Sequence, residues 1–129
     1  MYLVDSSVWI ALFLDDDSQH AKAAEVMERI GDASIRVLYG VVLETTTTLA
    51  RKQSKQQADK FVEYIRANPQ IELVTPFPSR DVDMFLEESE RLSFVDTLLK
   101  DMALRENITL VSFDTQLLNS LKQSKRHII

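Results

Sequence analysis

The sequence predicts an α/β fold, a three-layer sandwich in which a mostly parallel central sheet is covered by helices on both faces. Four short β-prone runs recur along the chain, and segments whose apolar residues follow a helical period separate them. Only two glycines and three prolines interrupt the 129 residues, and no repeat or low-complexity tract divides them. We therefore predict one domain that spans residues 1–129.

The first quarter of the chain predicts a strand followed by two helices. Tyr2-Leu3-Val4 is a β-prone run that ends at Asp5, and the continuous apolar residues 8–13 indicate a buried turn of helix. Residues 15–18, Asp-Asp-Asp-Ser, are N-cap candidates for a second helix that ends before Gly31.

The stretch from residue 35 to residue 50 is ambiguous by propensity. Ile35–Tyr39 has the composition of a second strand, but the β-branched residues after Gly40 also favour an extended chain. A strand across the whole stretch would greatly exceed the usual strand length, and Gly40 is a natural junction. We predict a strand to Tyr39 and a helix from Val41 to Ala50.

The rest of the chain continues the alternation. The predicted elements are a helix over residues 56–67, a strand over 71–74, two helices capped by Ser79 and Ser93, a strand over 108–111 and a helix over 114–121. Strands separated by helices in this way are typical of a parallel sheet.

The composition excludes several kinds of chemistry. The chain has no cysteine, which removes disulfides, thiolate nucleophiles and cysteine-based zinc sites. Its formal net charge of -5 gives no global electrostatic reason to coat nucleic acid, so a bound polyanion needs a local basic patch or a metal ion. No secretion signal or membrane-spanning run is visible, and we expect a soluble, cytoplasmic protein.

Acidic side chains lie at or near the ends of the predicted strands. Asp5 follows the first strand directly, and Asp114 follows the fourth. Glu44 lies soon after the second strand, and Asp96 lies in the first turn of the helix that precedes the fourth. Because parallel α/β sheets bind ligands outside the carboxyl ends of their strands, these four acids could converge at one edge.

Converging carboxylates would repel one another and lose solvation unless a cation balanced them. Oxygen donors suit Mg²⁺ or Mn²⁺, and one or two such ions can activate water and stabilise the oxygens of a phosphodiester displacement. The acids therefore indicate metal-assisted phosphodiester chemistry that needs no covalent nucleophile.

Each acid also has a purely structural interpretation. Asp5 and Asp114 could do no more than cap the helices that follow them. Asp96 has the spacing of a capping box with Ser93, and Glu44 could be a helix-surface acid. Taken one position at a time, the sequence leaves these alternatives open.

Four segments of the sequence form an ordered set of motifs. They are Leu3-Val4-Asp5-Ser6-Ser7-Val8-Trp9-Ile10, Val42-Leu43-Glu44 with Leu49-Ala50-Arg51, Phe94-Val95-Asp96-Thr97-Leu98-Leu99, and Ile108-Thr109-Leu110-Val111-Ser112-Phe113-Asp114. In this order, with an α/β pattern between them, the segments resemble the PIN domain family, the fold of the VapC ribonuclease toxins. The resemblance spans nearly the whole chain.

This resemblance implies a Rossmann-like domain that cleaves RNA with Mg²⁺ or Mn²⁺. It also implies a homodimer, held inactive by a small cognate antitoxin protein. From the absence of a membrane-spanning run noted above, we expect no association with a membrane. Asp5 and Asp96 would be the most direct metal ligands, Glu44 a direct or water-mediated one, and Asp114 a completing acid that orients metal or water. The hydrogen-bonding side chains that assist would be Ser6 and Ser112.

Three classes of function compete. The endoribonuclease, either a toxin or an RNA-maturation enzyme, rests on the four ordered acids. The second is a PIN-like binding module without catalysis. It is favoured by the missing acid after the last motif, where many relatives carry one and this chain has Thr115-Gln116-Leu117. A phosphoacceptor switch shares the α/β order, but residues 71–75 lack an Asp at the end of the third strand.

The other conspicuous polar and aromatic residues have ordinary interpretations. The acids of residues 15–17 are expected to cap a helix rather than bind metal, and His20 is expected on a helix surface. The basic C-terminal residues 122–127 indicate a modest patch for RNA. The aromatic residues expected in the core, rather than against bases, are Trp9, Phe13, Phe94 and Phe113.

Overall fold

The computed structural model describes residues 1–127, with side chains as far as Ser124. Within that part of the chain the strands are β1 (Tyr2–Val4), β2 (Ile35–Leu38), β3 (Ile71–Val74) and β4 (Thr109–Val111). The helices are α1 (Ser6–Phe13), α2 (His20–Ile30), α3 (Tyr39–Lys52), α4 (Lys55–Ala67), α5 (Pro78–Glu87), α6 (Phe94–Arg105) and α7 (Thr115–His127). The predicted α/β class is confirmed.

The four strands form one parallel sheet in the order β3-β2-β1-β4. The chain moves from β1 to β2 to β3 in one direction and then crosses back to place β4 on the other side of β1. Right-handed crossovers put helices on opposite faces when the direction reverses. The helix contacts follow this division, because α1 packs on α2 and α3, and α3 on α4, whereas α6 packs on α5 and α7.

One hydrophobic cluster fills the space between the sheet and its helices. Leu3 and Val4 of β1 and Val37 of β2 are fully buried, as expected for strands covered on both faces. Trp9 of α1 is fully buried and packs against Phe61 of α4 with ring centroids 5.7 Å apart. Trp9 therefore belongs to the core, as predicted.

The helix in the ambiguous region begins earlier than predicted. β2 ends at Leu38, and α3 starts at Tyr39 instead of after Gly40. Within the described chain the β-branched residues are accommodated as helix, and Thr46 donates its hydroxyl hydrogen bond to the carbonyl oxygen of Val42 at 2.8 Å. The predicted helix type was right because the length argument outweighed propensity, but the predicted glycine junction was wrong.

Two predicted helix starts are also wrong. The N-cap of α2 is Gln19, whose N–H donates to Asp17 Oδ1 at 2.8 Å, so Asp17 stabilises the turn before the helix rather than capping it. α5 begins with Pro78 as its first residue, not after a Ser79 cap, because the fixed φ of proline suits a first helical position whose N–H has no partner.

Two predictions concern the C-terminal part of the chain. The side chains of residues 125–127, most of the predicted basic patch for RNA, lie outside the described residues. α7 extends to His127, beyond the predicted end at residue 121. Across residues 1–127 we find no helix with the length and apolar character needed to cross a bilayer.

Candidate active site

The candidate site lies where the strand order changes direction. β1 is followed by β2 on one side and is paired with β4 on the other, which leaves a crevice at the carboxyl ends of β1 and β4. The N–H of Asp5 donates to the carbonyl oxygen of Val111 at 3.0 Å, so the pairing of the two strands extends to this edge. Asp5 and residues 112–114 therefore meet there.

The Asp5 carboxylate is buried, with 3% of the residue exposed, and is surrounded by hydrogen-bond donors. Its Oδ1 accepts from the N–H of Ser6 at 2.7 Å, which makes Asp5 the N-cap of α1. Its Oδ2 accepts from the hydroxyls of Ser7 at 2.9 Å and Ser112 at 2.8 Å. These donors replace the water that burial removes, and they fix the orientation of the carboxylate.

Two serines connect the chain after β1 to the chain after β4. Besides bonding Asp5, the Ser7 hydroxyl accepts from the N–H of Phe113 at 3.0 Å. The Ser112 hydroxyl likewise accepts from the N–H of Asp114 at 3.0 Å. No role in the site was predicted for Ser7, and the structure places its hydroxyl 3.4 Å from that of Ser112. The Asp-Ser-Ser sequence after a strand was the signal that could have assigned it.

We expect Ser7→Ala to lower the activity of this site by roughly tenfold, because loss of its hydroxyl frees both Asp5 and the backbone at Phe113. The rate constant from a single-turnover cleavage assay measures this effect. Ser89→Ala, which removes an exposed hydroxyl, is the matched control. Equal rates for Ser7→Ala and wild type would show that Asp5 needs no such support.

Glu44 reaches the site from the second turn of α3. Its Oε1 accepts from the Ser6 hydroxyl at 3.0 Å, so it is not the surface acid of the alternative interpretation. Burial raises the pKa of Glu44, the hydrogen bond from Ser6 opposes that shift, and the charge of Asp5 adds to it. Ser6 therefore joins two acids of the site and favours the ionised form of Glu44.

Asp96 lies in the first turn of α6, where Ser93 is the N-cap. The Ser93 hydroxyl accepts from the N–H of Asp96 at 3.1 Å, but among the described residues the Asp96 carboxylate accepts no bond from a backbone N–H. The capping-box alternative is therefore only half realised. Burial raises the pKa of Asp96 to about 6, and the charges of Asp5, Asp114 and Glu44 contribute to that rise, against a smaller opposing effect of Ser93.

In metal-free buffer we expect Asp96→Asn to raise the free energy of unfolding at pH 7 by about 1 kcal/mol, after allowance for solvent screening. The pKa of about 6 in the folded protein exceeds the ordinary 3.8, so the folded state binds more protons and loses stability as pH rises between these values. Urea unfolding with a chelator measures the difference. The difference in the free energy of unfolding should disappear below about pH 4. A variant that is less stable than wild type at pH 7 would contradict the inferred repulsion between Asp96 and the other acids.

Asp114 combines a capping role with a place near the other acids. Its Oδ1 accepts from the N–H groups of Gln116 at 3.0 Å and Leu117 at 3.2 Å at the start of α7. Its charge nevertheless acts on Asp96. The capping interpretation of Asp114 is thus correct without removing the residue from the site.

A glycine sets the spacing between the helices that carry Glu44 and Asp96. A Cβ added at Gly40, the second residue of α3, would lie 2.8 Å from Cγ2 of Val95, which is closer than two carbon atoms approach. Val95 directly precedes Asp96 in α6. The absence of a side chain at Gly40 therefore lets α3 and α6 approach each other at the site.

The donor set suits a hard divalent cation. All four acids supply oxygen, and their mutual repulsion is the kind of conflict that a cation relieves. Within the described chain, no three His, Asp or Glu side chains are grouped closely enough to hold a metal ion by themselves. A bound ion would therefore depend on one or two carboxylates together with water or substrate oxygens, as is usual for Mg²⁺.

Comparison with known families identifies the chain. The family model described as PIN domain matches residues 2–121. The chain belongs to the PIN domain family. PIN domains of the VapC group are ribonucleases, so membership supports nuclease activity.

Two solved structures are similar to this PIN domain. Mycobacterium tuberculosis VapC20, described as a Sarcin-Ricin loop cleaving toxin, is 20% identical, with a TM-score of 0.82 over 93% of this chain and 95% of its own. PAE2754 from Pyrobaculum aerophilum is 19% identical, with a TM-score of 0.61 over 92% and 82%. At this identity the likeness establishes the fold alone. No curated protein sequence gives a significant match.

Two other predictions about this PIN domain, for His20 and Phe94, need correction, whereas the prediction that Phe113 packs on the core is borne out in part. His20 is half-buried, and its Nδ1 lies 2.9 Å from the carbonyl oxygen of Ala11, so it connects α2 to α1 instead of lying free on the surface. Phe94 is 40% exposed and stacks on Phe85 at 5.1 Å, so its assignment to the core was wrong. Phe113 packs partly on the core, and the Lys22 ammonium lies 4.9 Å from its ring centroid.

A buried lysine holds the loop that precedes Asp96. Lys100 of α6 is 7% exposed, and its Nζ lies 2.7 Å from Oε1 of Glu88, the first residue of the loop between α5 and α6. Gln116 of α7 donates to the carbonyl oxygen of Arg91 in the same loop at 3.0 Å. The loop is thus attached to two helices, which fixes where α6 begins.

Proposed function

We propose that this PIN domain is an endoribonuclease that cleaves RNA phosphodiester bonds with Mg²⁺ or Mn²⁺. The observation that carries the proposal is electrostatic. The charges of Asp5, Glu44 and Asp114 all act on Asp96, although the four residues come from separate parts of the chain. Acids that lie near one another at the edge of a sheet, with no Lys or Arg of the described residues paired to them, are typical of a site that binds a cation.

In this proposal Asp5 and Asp96 hold the metal ion, and Glu44 binds it directly or through water. The ion would lower the pKa of a bound water and polarise the scissile phosphate. Asp114, held by the N–H groups at the start of α7, orients the water or the ion. Ser7 and Ser112 keep the Asp5 carboxylate fixed, and Ser6 favours the charged form of Glu44.

We further propose that the protein is the toxin of a toxin–antitoxin pair, with a small antitoxin as partner and a homodimer as its working form. The support is the PIN fold and its likeness to VapC20, a toxin that cleaves the Sarcin-Ricin loop. Induction in a host cell with and without the protein encoded beside it tests this role. Growth arrest that the neighbour relieves is expected, and unimpaired growth would favour an RNA-maturation enzyme.

The nuclease proposal is tested by incubating the purified protein with structured and single-stranded RNA, with Mg²⁺, with Mn²⁺ and with a chelator. Cleavage that depends on metal is expected. Internal cuts, mapped by primer extension, would distinguish an endonuclease from an exonuclease. Cleavage of equal rate in the chelator would contradict the metal-dependent mechanism.

A second candidate function is an RNA- or protein-binding PIN module without catalysis. It is favoured by the spacing of the acids, since no three of them in the described chain form a ready-made ligand set. RNA binding that a chelator does not change, together with no cleavage in either metal, would select this candidate.

A further inference from the structure

Many basic side chains of the described chain are paired with acids, but two that lie near the candidate site are not. The basic residues that take part in ion pairs are Arg29, Arg36, Lys55, Arg66, Arg80, Lys100 and Arg105. No ion pair of the described residues includes Lys22 or Arg91, and both of these residues are exposed. In a chain with a net charge of -5, they are candidates for the local contacts that a polyanion needs.

Lys22 lies on the α2 side of the site. Its ammonium lies 4.9 Å from the ring centroid of Phe113, the residue directly before Asp114. The N–H of Phe113 donates to the Ser7 hydroxyl, which in turn donates to Asp5 Oδ2. The attraction between a cation and an aromatic ring therefore holds Lys22 next to a segment that is bonded into the site.

Arg91 reaches the same part of the site from the loop between α5 and α6. Its carbonyl oxygen accepts from Gln116 Nε2 at 3.0 Å, and the N–H of Gln116 donates to Asp114 Oδ1 at 3.0 Å. Because α6 packs on α5 and α7 whereas α2 packs on α1, Lys22 and Arg91 approach Asp114 from opposite faces of the sheet. One basic residue thus lies on each side of Asp114.

The placement of these two residues suits a nucleic-acid strand that crosses the four acids. In the proposed reaction a divalent cation binds the phosphate that is cleaved, but the phosphates on either side of it carry the same charge as the acids and are repelled by them. A basic side chain on each side offsets that repulsion. Lys and Arg bind phosphate oxygens through charge-assisted hydrogen bonds, which are stronger than neutral ones.

We propose that Lys22 and Arg91 bind the phosphates of the RNA strand on either side of the cleaved bond. The inference rests on the proposed nuclease function and deepens it, because it assigns the residues that hold the substrate over the acids. Phe113 is the positioning residue for Lys22, since its ring keeps the ammonium beside the site. Contacts to phosphate supply affinity and fix the position of the strand, but they carry no base preference.

Binding is measured on Asp5→Asn protein, which should leave the RNA intact, by fluorescence anisotropy with a labelled single-stranded RNA in Mg²⁺. Lys22→Gln with Arg91→Gln, added to that protein, should weaken binding roughly tenfold or more. The dependence of log affinity on log salt should become shallower by about 1.4, because each lost phosphate contact contributes about 0.7. Lys22→Arg should retain the affinity, since a guanidinium also binds phosphate and lies over aromatic rings.

The matched control is Arg51→Gln with Lys60→Gln, which removes two exposed charges from α3 and α4 that belong to no ion pair of the described residues. It should change the affinity less than about twofold, because distant exposed charges are screened. Equal weakening by the two double variants, or a salt dependence that Lys22→Gln with Arg91→Gln leaves unchanged, would overturn the inference.

Cleavage assays on protein with Asp5 intact distinguish this inference from the nuclease proposal. Lys22→Gln with Arg91→Gln should raise KM and leave kcat nearly unchanged. Metal-dependent cleavage with the same KM in this variant and in wild type would contradict the inference alone. RNA that is bound through Lys22 and Arg91 but never cleaved would contradict the nuclease function alone. Circular dichroism should show the variants folded, since the substituted basic side chains are exposed.

Discussion

Asp5→Asn is expected to reduce metal-dependent RNA cleavage on the order of 10³-fold while leaving the protein folded. The asparagine keeps the size of the side chain and one oxygen for the N–H of Ser6, and the hydroxyls of Ser7 and Ser112 can rotate to accept from its amide. What is lost is the negative charge at the centre of the site. Rates from single-turnover assays at saturating Mn²⁺ measure the change.

A matched control for this variant is Asp32→Asn, which removes one exposed acid from the turn before β2, at the end of that strand opposite to the site. It should cleave RNA at the wild-type rate and have the same thermal midpoint. If Asp5→Asn retained more than about a tenth of the wild-type rate, Asp5 would be a helix cap and no more, and the role proposed for it would be wrong.

Gly40→Ala is expected to lower cleavage on the order of 10²-fold, although the substitution suits a helix. Alanine at a helical position is favoured over glycine by about 1 kcal/mol, so local propensity predicts a more stable protein. The added Cβ would meet Cγ2 of Val95 at 2.8 Å, and overpacking of this kind typically costs about 1–3 kcal/mol. Relief by moving α6 away from α3 separates Asp96 from Glu44, and a displacement of about 1 Å is enough for such a loss.

A compensating change makes this prediction specific. Val95→Ala removes the Cγ2 atom, so Gly40→Ala with Val95→Ala should recover much of the rate that Gly40→Ala loses. The cleavage rate and the urea midpoint of the two single variants and the double variant form a double-mutant cycle. Losses that simply add, with no recovery in the double variant, would show that the spacing of α3 and α6 does not control the site.

The sequence predicted the fold well because, for most elements, the period of the apolar residues, the length of the segment and its flanking residues indicated the same structure. The succession of helices and strands along the chain followed from the period and length of the apolar runs, and the helix near Gly40 was predicted in spite of its β-branched composition. Its start at Tyr39 was missed because nothing local distinguishes the last residue of β2 from the first of α3. The exposure of Phe94 was missed for a related reason, since an apolar residue next to a helix start predicts burial only if another element covers it.

The four acids of the site were predicted from the sequence, but the hydrogen bonds and packing contacts that position them were not. Capping and function were weighed as alternatives, whereas Asp5 and Asp114 do both, because a helix that starts at the edge of a sheet places its N-cap beside the crevice. The contribution of Ser7 depends on a bond to Phe113 more than a hundred residues away, and Gly40 acts through Val95. Such contacts exist only in the folded chain.

The central claim is that four acids from separate segments form one cation site, and the number and affinity of bound Mn²⁺ ions test it most directly. Titration followed by electron paramagnetic resonance should give at least one site in the wild type. Asp5→Asn and Asp96→Asn should each weaken it at least tenfold, whereas Asp32→Asn should leave it unchanged. Mn²⁺ affinity that is the same in all four proteins would contradict the claim.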